Sequence, residues 1–308
     1  MNQKPEYLIS KGVVNLLLNR YRLDLSDQAK QDISRLEEEF TQRLGQELSD
    51  FFDYDVVSAE TIDKTMEKSV KRSSRLPIIG LDDVYFRGIP TDGEISITRL
   101  VTDVNNFDNK VLGPRKGYAS LEEQMELLEK DFVGKDVALM DVGVFEGETL
   151  LDKERGVINL MKNRNINVKR LYVSIMNSPA LPKFKDAGIE IVTSNKLYDF
   201  SDGDWLEVRD LLALDGRKIS TDKYDLNSNT QLFAKYIQDP QTLKTGANIQ
   251  DGVTASIVLD LCSMYQKKLL REIRKDGFQV IEGYINSDPR LYTLEFRKKQ
   301  EDALKKAA

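Results

Sequence analysis

Hydrophobic positions recur along this chain at two different spacings, and the change from one to the other divides it. Behind Ser26, a plausible N-cap, Ile33, Leu36, Phe40, Leu44 and Leu48 fall three or four apart, which predicts an amphipathic helix. Its opposite face, with Glu37, Glu38, Gln42 and Arg43, is expected in solvent. A second helix is predicted from Ser58 towards Arg72, so residues 1–72 read as a helical section that closes at the basic run 71–75. From Leu76 the period shortens. Leu76–Leu81 is a short apolar run, and Glu94–Val101 alternates with β-branched residues, as a strand does. Ser120 and Glu123 form a capping box ahead of Leu121, Met125, Leu128 and Phe132. Val137–Met140, Val168–Ile175 and Ile189–Thr193 are strand-like runs separated by helical patterns, the last closed by Gly188. Strand and helix alternating in units of this length predict right-handed crossovers and a mostly parallel α/β sheet, placed at 73–215. Beyond it, 216–308 reads as a second helical section. Gln231–Ile237, Val253–Lys275 and the charged tail Phe296–Ala308 are its helices, the middle one with Val258, Leu261, Tyr265, Leu269 and Ile273 on one face.

Composition narrows the chemistry. The 308 residues suit one large domain or two smaller ones, and 31% of them are charged. No apolar run approaches the roughly 18–20 residues that span a bilayer, and the N-terminus lacks the plan of a secretory signal. A cytoplasmic protein without membrane contact is the expectation. The single cysteine, Cys262, excludes an internal disulfide and sits among Leu259, Leu261 and Met264 as a buried helical residue would. There is no histidine, which removes Ser–His–Asp triads, Cys–His pairs and HExxH zinc sites. Chemistry must then come from carboxylates, Lys, Arg, Tyr, hydroxyls or backbone groups, and a metal would be a hard, oxygen-bound one such as Mg2+. A net charge of −6 argues against broad nucleic-acid binding and leaves a homo-oligomer open.

The stretch with the most chemistry is Val137–Leu151, VALMDVGVFEGETLL. An apolar strand runs into Asp141, a loop is expected over Val142–Thr149, and a helix pattern follows. A strand, glycine loop and helix start of this kind aims backbone N–H groups and the positive helix end at one point, which suits an anion. Gly143 and Gly147 permit close approach, Thr149 offers a hydroxyl, and Asp141 can hold Mg2+ or a hydroxyl group.

This stretch resembles the signature loop of type I phosphoribosyltransferases, a hydrophobic strand, two acids, a short loop, and then Gly, a small residue and Thr. In that family the loop binds the 5-phosphate of phosphoribosyl pyrophosphate, the acids hold the ribose hydroxyls, and Mg2+ lies nearby. The resemblance covers about residues 76–200. It implies that Asp141 orients ribose or metal and that Gly143, Glu146, Gly147, Glu148 and Thr149 line the phosphate. Arg115 and Lys116, in Gly113–Gly117, fall where some members carry a basic loop over the pyrophosphate, and Arg87–Gly88 follows the first strand as the family's pyrophosphate loop does. The chain departs from the pattern at Val142 in place of the second acid, at Phe145 in place of a polar residue, and at Glu146 in place of a hydroxyl. A carboxylate about 4 Å from a phosphate would repel it by roughly 4 kcal/mol at an effective dielectric of about 20. The implied function is binding of a ribose phosphate with transfer of the phosphoribosyl group to an acceptor. The alternative is a non-catalytic ligand-sensing or protein-interaction module on the same fold. GLDDVYFRG at 80–88 also faintly resembles the acidic motif of haloacid dehalogenase-like phosphatases, but Gly80 stands where their nucleophilic Asp would be.

Overall fold

The structure is a computed structural model. It describes residues 4–73, 75–81, 85–86, 88–103, 106–115, 118–200, 204–207, 218–219, 231–232, 252–284 and 291–298. In chain order the elements are β1 (Glu6–Lys11), α1 (Val13–Asn19), α2 (Asp27–Leu48), β2 (Asp53–Ser58), α3 (Ala59–Ser73), β3 (Ile78–Gly80), β4 (Gly93–Glu94), β5 (Ile97–Asp103), β6 (Asn106–Pro114), α4 (Leu121–Phe132) and β7 (Asp136–Val144). There follow α5 (Glu148–Leu151), α6 (Val157–Lys162), β8 (Asn167–Asn177), α7 (Leu181–Asp186), β9 (Glu190–Thr193), β10 (Leu197–Tyr198), β11 (Asp204–Leu206), β12 (Lys218–Ile219), β13 (Gln231–Leu232), α8 (Gly252–Lys275), β14 (Phe278–Tyr284) and β15 (Leu291–Lys298). They group into two compact units. One comprises Met1–Val57, Val101–Asn106 and Asp202–Ala308, the other Ser58–Leu100 and Phe107–Ser201.

The second unit holds the α/β sheet. Its strand order is β10-β8-β7-β3-β4, with β9 also on β8, and all of these pairs are parallel. Val137–Met140 are wholly buried, as a central parallel strand covered on both faces requires. Leu139, Leu171, Val173, Met125, Leu128, Phe132, Val157, Met161 and Phe184 share one core. α4 begins as its sequence dictates. The Ser120 hydroxyl accepts from the Glu123 N–H at 3.2 Å, and the Glu123 carboxylate accepts from the Ser120 N–H at 2.9 Å and hydroxyl at 2.8 Å. These bonds hold the Glu123 carboxyl below its ordinary range. Ser120→Ala should lower stability by about 1 kcal/mol, read as a shift in the urea midpoint of the circular-dichroism transition with the slope unchanged.

The first unit carries α2 and α8, two of the expected helices, together with strands, while the helix expected from Ser58 towards Arg72, α3, belongs to the second unit. Tyr7, Leu8 and Ile9 form a buried run bounded by Pro5 and Gly12, and it pairs in parallel with β11 through Asp204, Trp205 and Leu206. α2 is capped by Ser26, whose hydroxyl accepts from the Ala29 N–H at 3.2 Å. α8 buries Val258, Leu261, Cys262, Tyr265, Leu269 and Ile273, and burial pushes the Cys262 thiol up, away from reactivity. The Phe40 ring of α2 stacks on Tyr265 at 4.5 Å.

Three local expectations are corrected here. Glu37 is buried, not in solvent. Gln231 and Leu232 form a strand, not the start of a helix, antiparallel to β15, while 233–237 lie outside the described residues. Phe296–Lys298 close β15, paired with Phe278–Val280, where a helix was expected, and 299–308 lie outside the described residues. Among the described residues no helix is long and apolar enough to cross a membrane.

Candidate functional site

The strand order of the parallel sheet reverses between β3 and β7. From β3 the chain passes to β4 on one side and later returns to β7 on the other. In open α/β sheets such a reversal leaves a crevice at the carboxyl ends of the two strands, and ligands bind there. Here the two ends are unequal. β3 makes its last pair at Gly80 with Met140, and the Leu81 N–H donates to the Met140 carbonyl at 2.9 Å. β7 runs on to Val144, paired on its other edge with β8 from Asp141–Val173 to Val144–Met176. Among the described residues, β7 thus runs four residues beyond its last pair with β3, and this edge is the notch.

The extension of β7 corrects the expected loop. Val142–Val144 are strand, and only Phe145–Gly147 connect β7 to α5. The reason lies in β8, whose eleven residues give β7 a partner for longer than the apolar run suggests. Asp141 is therefore the first residue past the end of β3, not the tip of its own strand. It is half-buried, and its Oδ1 accepts from the Val142 N–H at 2.8 Å. That donor sits on the edge facing β3, two residues beyond Met140, so the carboxylate closes over the notch where β3 no longer reaches.

The remaining candidates scatter in role. Gly143 is half-buried within β7, opposite Ile175. Glu146 and Glu148 point to solvent, so Glu146 does not fill the notch. The Glu146 carbonyl accepts from Lys183 Nζ at 3.0 Å. Gly147 is buried with φ +80°, and a Cβ there would lie 3.0 Å from the Phe184 ring. Core packing thus accounts for this glycine. Thr149 is half-buried in the four-residue α5. Arg115 follows β6 and is tied to β5, its N–H donating to the Ser96 carbonyl at 3.4 Å and its Nε to the Ile97 carbonyl at 2.7 Å. Gly88 is exposed in a turn closed by Ile89 N–H to Phe86 carbonyl at 2.8 Å. Arg87, Lys116 and the pair Asp82–Asp83 lie outside the described residues. Among the described residues no three acidic or thiol groups gather as a metal cluster.

A feature that the sequence pattern does not reveal lies beside the loop. The Phe145 ring stacks on Phe200 at 4.8 Å and 3°, and Phe200 stacks on Tyr198 at 5.1 Å and 5°. Lys196 Nζ lies 4.6 Å from the Tyr198 centroid. The column is brought together by β10, which pairs Tyr198 with Asn177, and by the Phe200 N–H, which donates to Asn177 Oδ1 at 3.0 Å. Three aromatic residues close to strand ends were the available signal.

No protein-family model matches the chain, and no curated protein does. Among solved structures it is similar to an orotate phosphoribosyltransferase of Mycobacterium tuberculosis H37Rv in complex with inorganic phosphate, at 10% identity and a TM-score of 0.27, covering 44% of this chain and 70% of that one. A hypothetical protein from Neisseria gonorrhoeae with bound ppGpp matches at 12% and 0.30, over 48% and 82%. An adenine phosphoribosyltransferase from Leishmania donovani matches at 14% and 0.28, over 46% and 65%. No family follows from similarity of this degree.

Proposed function

We propose that the protein binds phosphoribosyl pyrophosphate or a related ribose phosphate in the notch between β3 and β7 and transfers the phosphoribosyl group to an acceptor. One observation carries this reading. A carboxylate, Asp141, stands at the point of strand reversal just where the neighbouring strand ends. Carboxylates there suit vicinal hydroxyls, because each can accept two charge-assisted hydrogen bonds. The exposed Glu146 supports the reading too, since its charge points away from the phosphate path. Arg115, held on β5, would position its loop and not touch the leaving group, and Lys183 is the described ammonium nearest the β7–α5 connection by its bond to Glu146.

A single carboxylate fits Mg2+ in one manner, as a partner to an ion that also rides on the substrate's phosphates. Bound so, the ion would neutralise charge on a departing pyrophosphate. Asp141 would hold it or the ribose, and the surrounding groups would act by positioning and electrostatics, as a site without histidine must.

The second reading, a non-catalytic sensing module, draws on Val142 and Phe145. One is buried and the other is stacked, and neither can move a proton. Calorimetric titration with phosphoribosyl pyrophosphate separates the cases. The proposal expects Mg2+-dependent binding, weakened about tenfold or more by Asp141→Asn, the size of a lost charge-assisted bond, and pyrophosphate release with some acceptor. Binding without turnover across nucleobase and amine acceptors would leave the sensing module. Absence of heat with and without Mg2+ overturns the proposal and leaves the alternative, a non-catalytic module that senses another ligand or binds a protein.

A further inference from the structure

β2 stands at the end of its sheet. The strand order is β11-β1-β2, and among the described residues no strand pairs with the outer edge of β2. The Asp53 N–H donates to the Pro5 carbonyl at 3.0 Å, so the backbone groups of Asp53 face the β1 side. Backbone direction alternates along a strand, and the groups of Tyr54 and Val56 therefore face the open edge. Phe51, Tyr54 and Val56 are exposed by 44%, 38% and 36%. Single exposed apolar residues are ordinary, but three in so short a span form a patch of the kind that marks an interaction surface. Tyr54 is also fixed in place. Its ring lies on α2, where a Cβ at Gly45 would come within 2.4 Å of Cε2, so a glycine leaves the room it needs.

The chemistry of this edge selects the partner. Side chains alternate between the two sides of a strand, which puts Tyr54 and Val56 on one side and Asp53 and Asp55 on the other. Asp50, Asp53 and Asp55 are all exposed, and Lys4, held on the Ser49 carbonyl at 2.6 Å, stands at the start of the segment. Asp55 Oδ1 accepts from the Val56 N–H at 2.9 Å, one of the outward groups. An incoming strand must draw that carboxylate away, which a cation opposite favours and an anion opposes. A second copy of this chain fits badly. Two copies joined along this edge by a two-fold axis run antiparallel and centre on the same residue of each. Centred on Asp53 or Asp55, that aspartate meets its own mate. Centred on Tyr54, Asp53 meets Asp55, and like charges directly opposite destabilise the pair. We infer that β2 is a docking edge for an extended segment of another protein, added as a further strand, with Lys or Arg at alternate positions and apolar residues between them. This concerns the first unit and does not depend on the ribose-phosphate reading of the second.

The test is calorimetric titration of the full chain with end-blocked octapeptides of alternating lysine and valine, glutamate and valine, or lysine and glycine. The lysine–valine peptide should bind about tenfold tighter than glutamate–valine, the effect of turning two cross-strand charge pairs from like to opposite. It should also bind tighter than lysine–glycine, which carries the charge without the apolar positions. Val56→Pro removes an outward N–H, a change that an edge strand tolerates, and should abolish lysine–valine binding. Asp53→Lys/Asp55→Lys should reverse the preference towards glutamate–valine. Glu126→Lys/Asp131→Lys makes the same change of charge at exposed positions of α4 and should leave the preference as in wild type. Lysine–valine binding no tighter than either of the other peptides, or no binding of any peptide, overturns the proposal. So does a loss in the α4 variant as large as in the β2 variant. A wild type that elutes from size exclusion as a dimer, and as a monomer in Val56→Pro, gives the edge to a second copy and overturns it too. Should Val56→Pro not fold, the charge reversal on β2 and its α4 counterpart decide.

Discussion

Phe184→Ala is expected to destabilise the α/β unit by about 3–5 kcal/mol, the range for truncating a buried Phe. The ring is fully buried on α7 and lies in one core with Val144, Leu150, Met176 and Ala180. It also explains the glycine of the β7–α5 loop, because a Cβ at Gly147 would stand 3.0 Å and 3.3 Å from its Cε2 and Cζ atoms. Gly147→Ala alone should cost about 2 kcal/mol, of which about 1 kcal/mol is the left-handed backbone at φ +80° and the rest the displaced ring. In the Phe184→Ala background the second part disappears, so the double-mutant cycle should show a coupling of about 1 kcal/mol. Amide exchange at Leu139–Val144 reads this unit by itself. A Gly147→Ala protein with unchanged exchange that binds no ribose phosphate would instead make this glycine a ligand contact.

That glycine illustrates what the residues alone can tell. Its conformational role is legible, because a Gly ahead of a helical pattern commonly takes a left-handed angle. Its reason is not, because Phe184 comes from 37 residues further on and reaches Gly147 only after β8 has been crossed. The same holds for β7. Asp141 and Gly143 read as the end of a strand by side chain, yet the ladder to β8 is a backbone matter, and Val173 and Ile175 pair with them regardless. Periodic elements with their own signals were read well. The capping box at Ser120, the Ser26 cap and the buried face of α8 through Val258, Leu261, Tyr265, Leu269 and Ile273 follow from local rules. β1 has no such rule, for four consecutive buried residues, Tyr7–Ser10, carry no period.

At the notch, the apolar run that stops at an acid suggested that Asp141 ends its own strand, whereas β7 runs on to Val144 and it is β3 that ends beside Asp141. The inequality of β3 and β7 was not foreseeable, since it depends on where two separate runs come into register. The aromatic column needed Tyr198 and Phe200 to be delivered by β10, a two-residue strand that no pattern announces. Glu37 is the converse case. Helical spacing, four residues from Ile33 and three from Phe40, puts it on their buried face, so its burial was legible and the expectation of solvent followed its charge alone; there α1 begins at its carboxylate.

Glu37 should make the stability of the first unit fall as pH rises from about 4.5 to about 7, and Glu37→Gln should remove that dependence. Its Oε1 accepts from the Gly12 N–H at 2.7 Å and the Val13 N–H at 2.9 Å, closing the start of α1, where no side chain of that segment does so. Burial nevertheless dominates. It raises the carboxyl from 4.5 to about 7, against the two backbone donors and Lys11, with Glu38 adding to the rise. On α8, burial and then the Glu37 charge push the Tyr265 phenol up, and its hydroxyl has no hydrogen-bond partner among the described residues. Because the folded carboxyl holds its proton more tightly than the unfolded one, its contribution is complete below about pH 4.5. It is lost progressively as pH climbs through 7, by about 3 kcal/mol in all. Glutamine keeps an oxygen for the Gly12 and Val13 N–H groups and carries no charge. Glu37→Gln should therefore match wild type at pH 4.5 and exceed it by up to about 3 kcal/mol at pH 8. Trp205, whose Nε1 donates to the Ser10 hydroxyl at 2.6 Å within this unit, is the only tryptophan and reports its unfolding in urea. Every other titrating group is common to the two proteins, so the difference between their curves isolates this carboxyl. Parallel curves across the range would mean that Glu37 is ionised in the fold at an ordinary pH, and that the helix start, not burial, governs it.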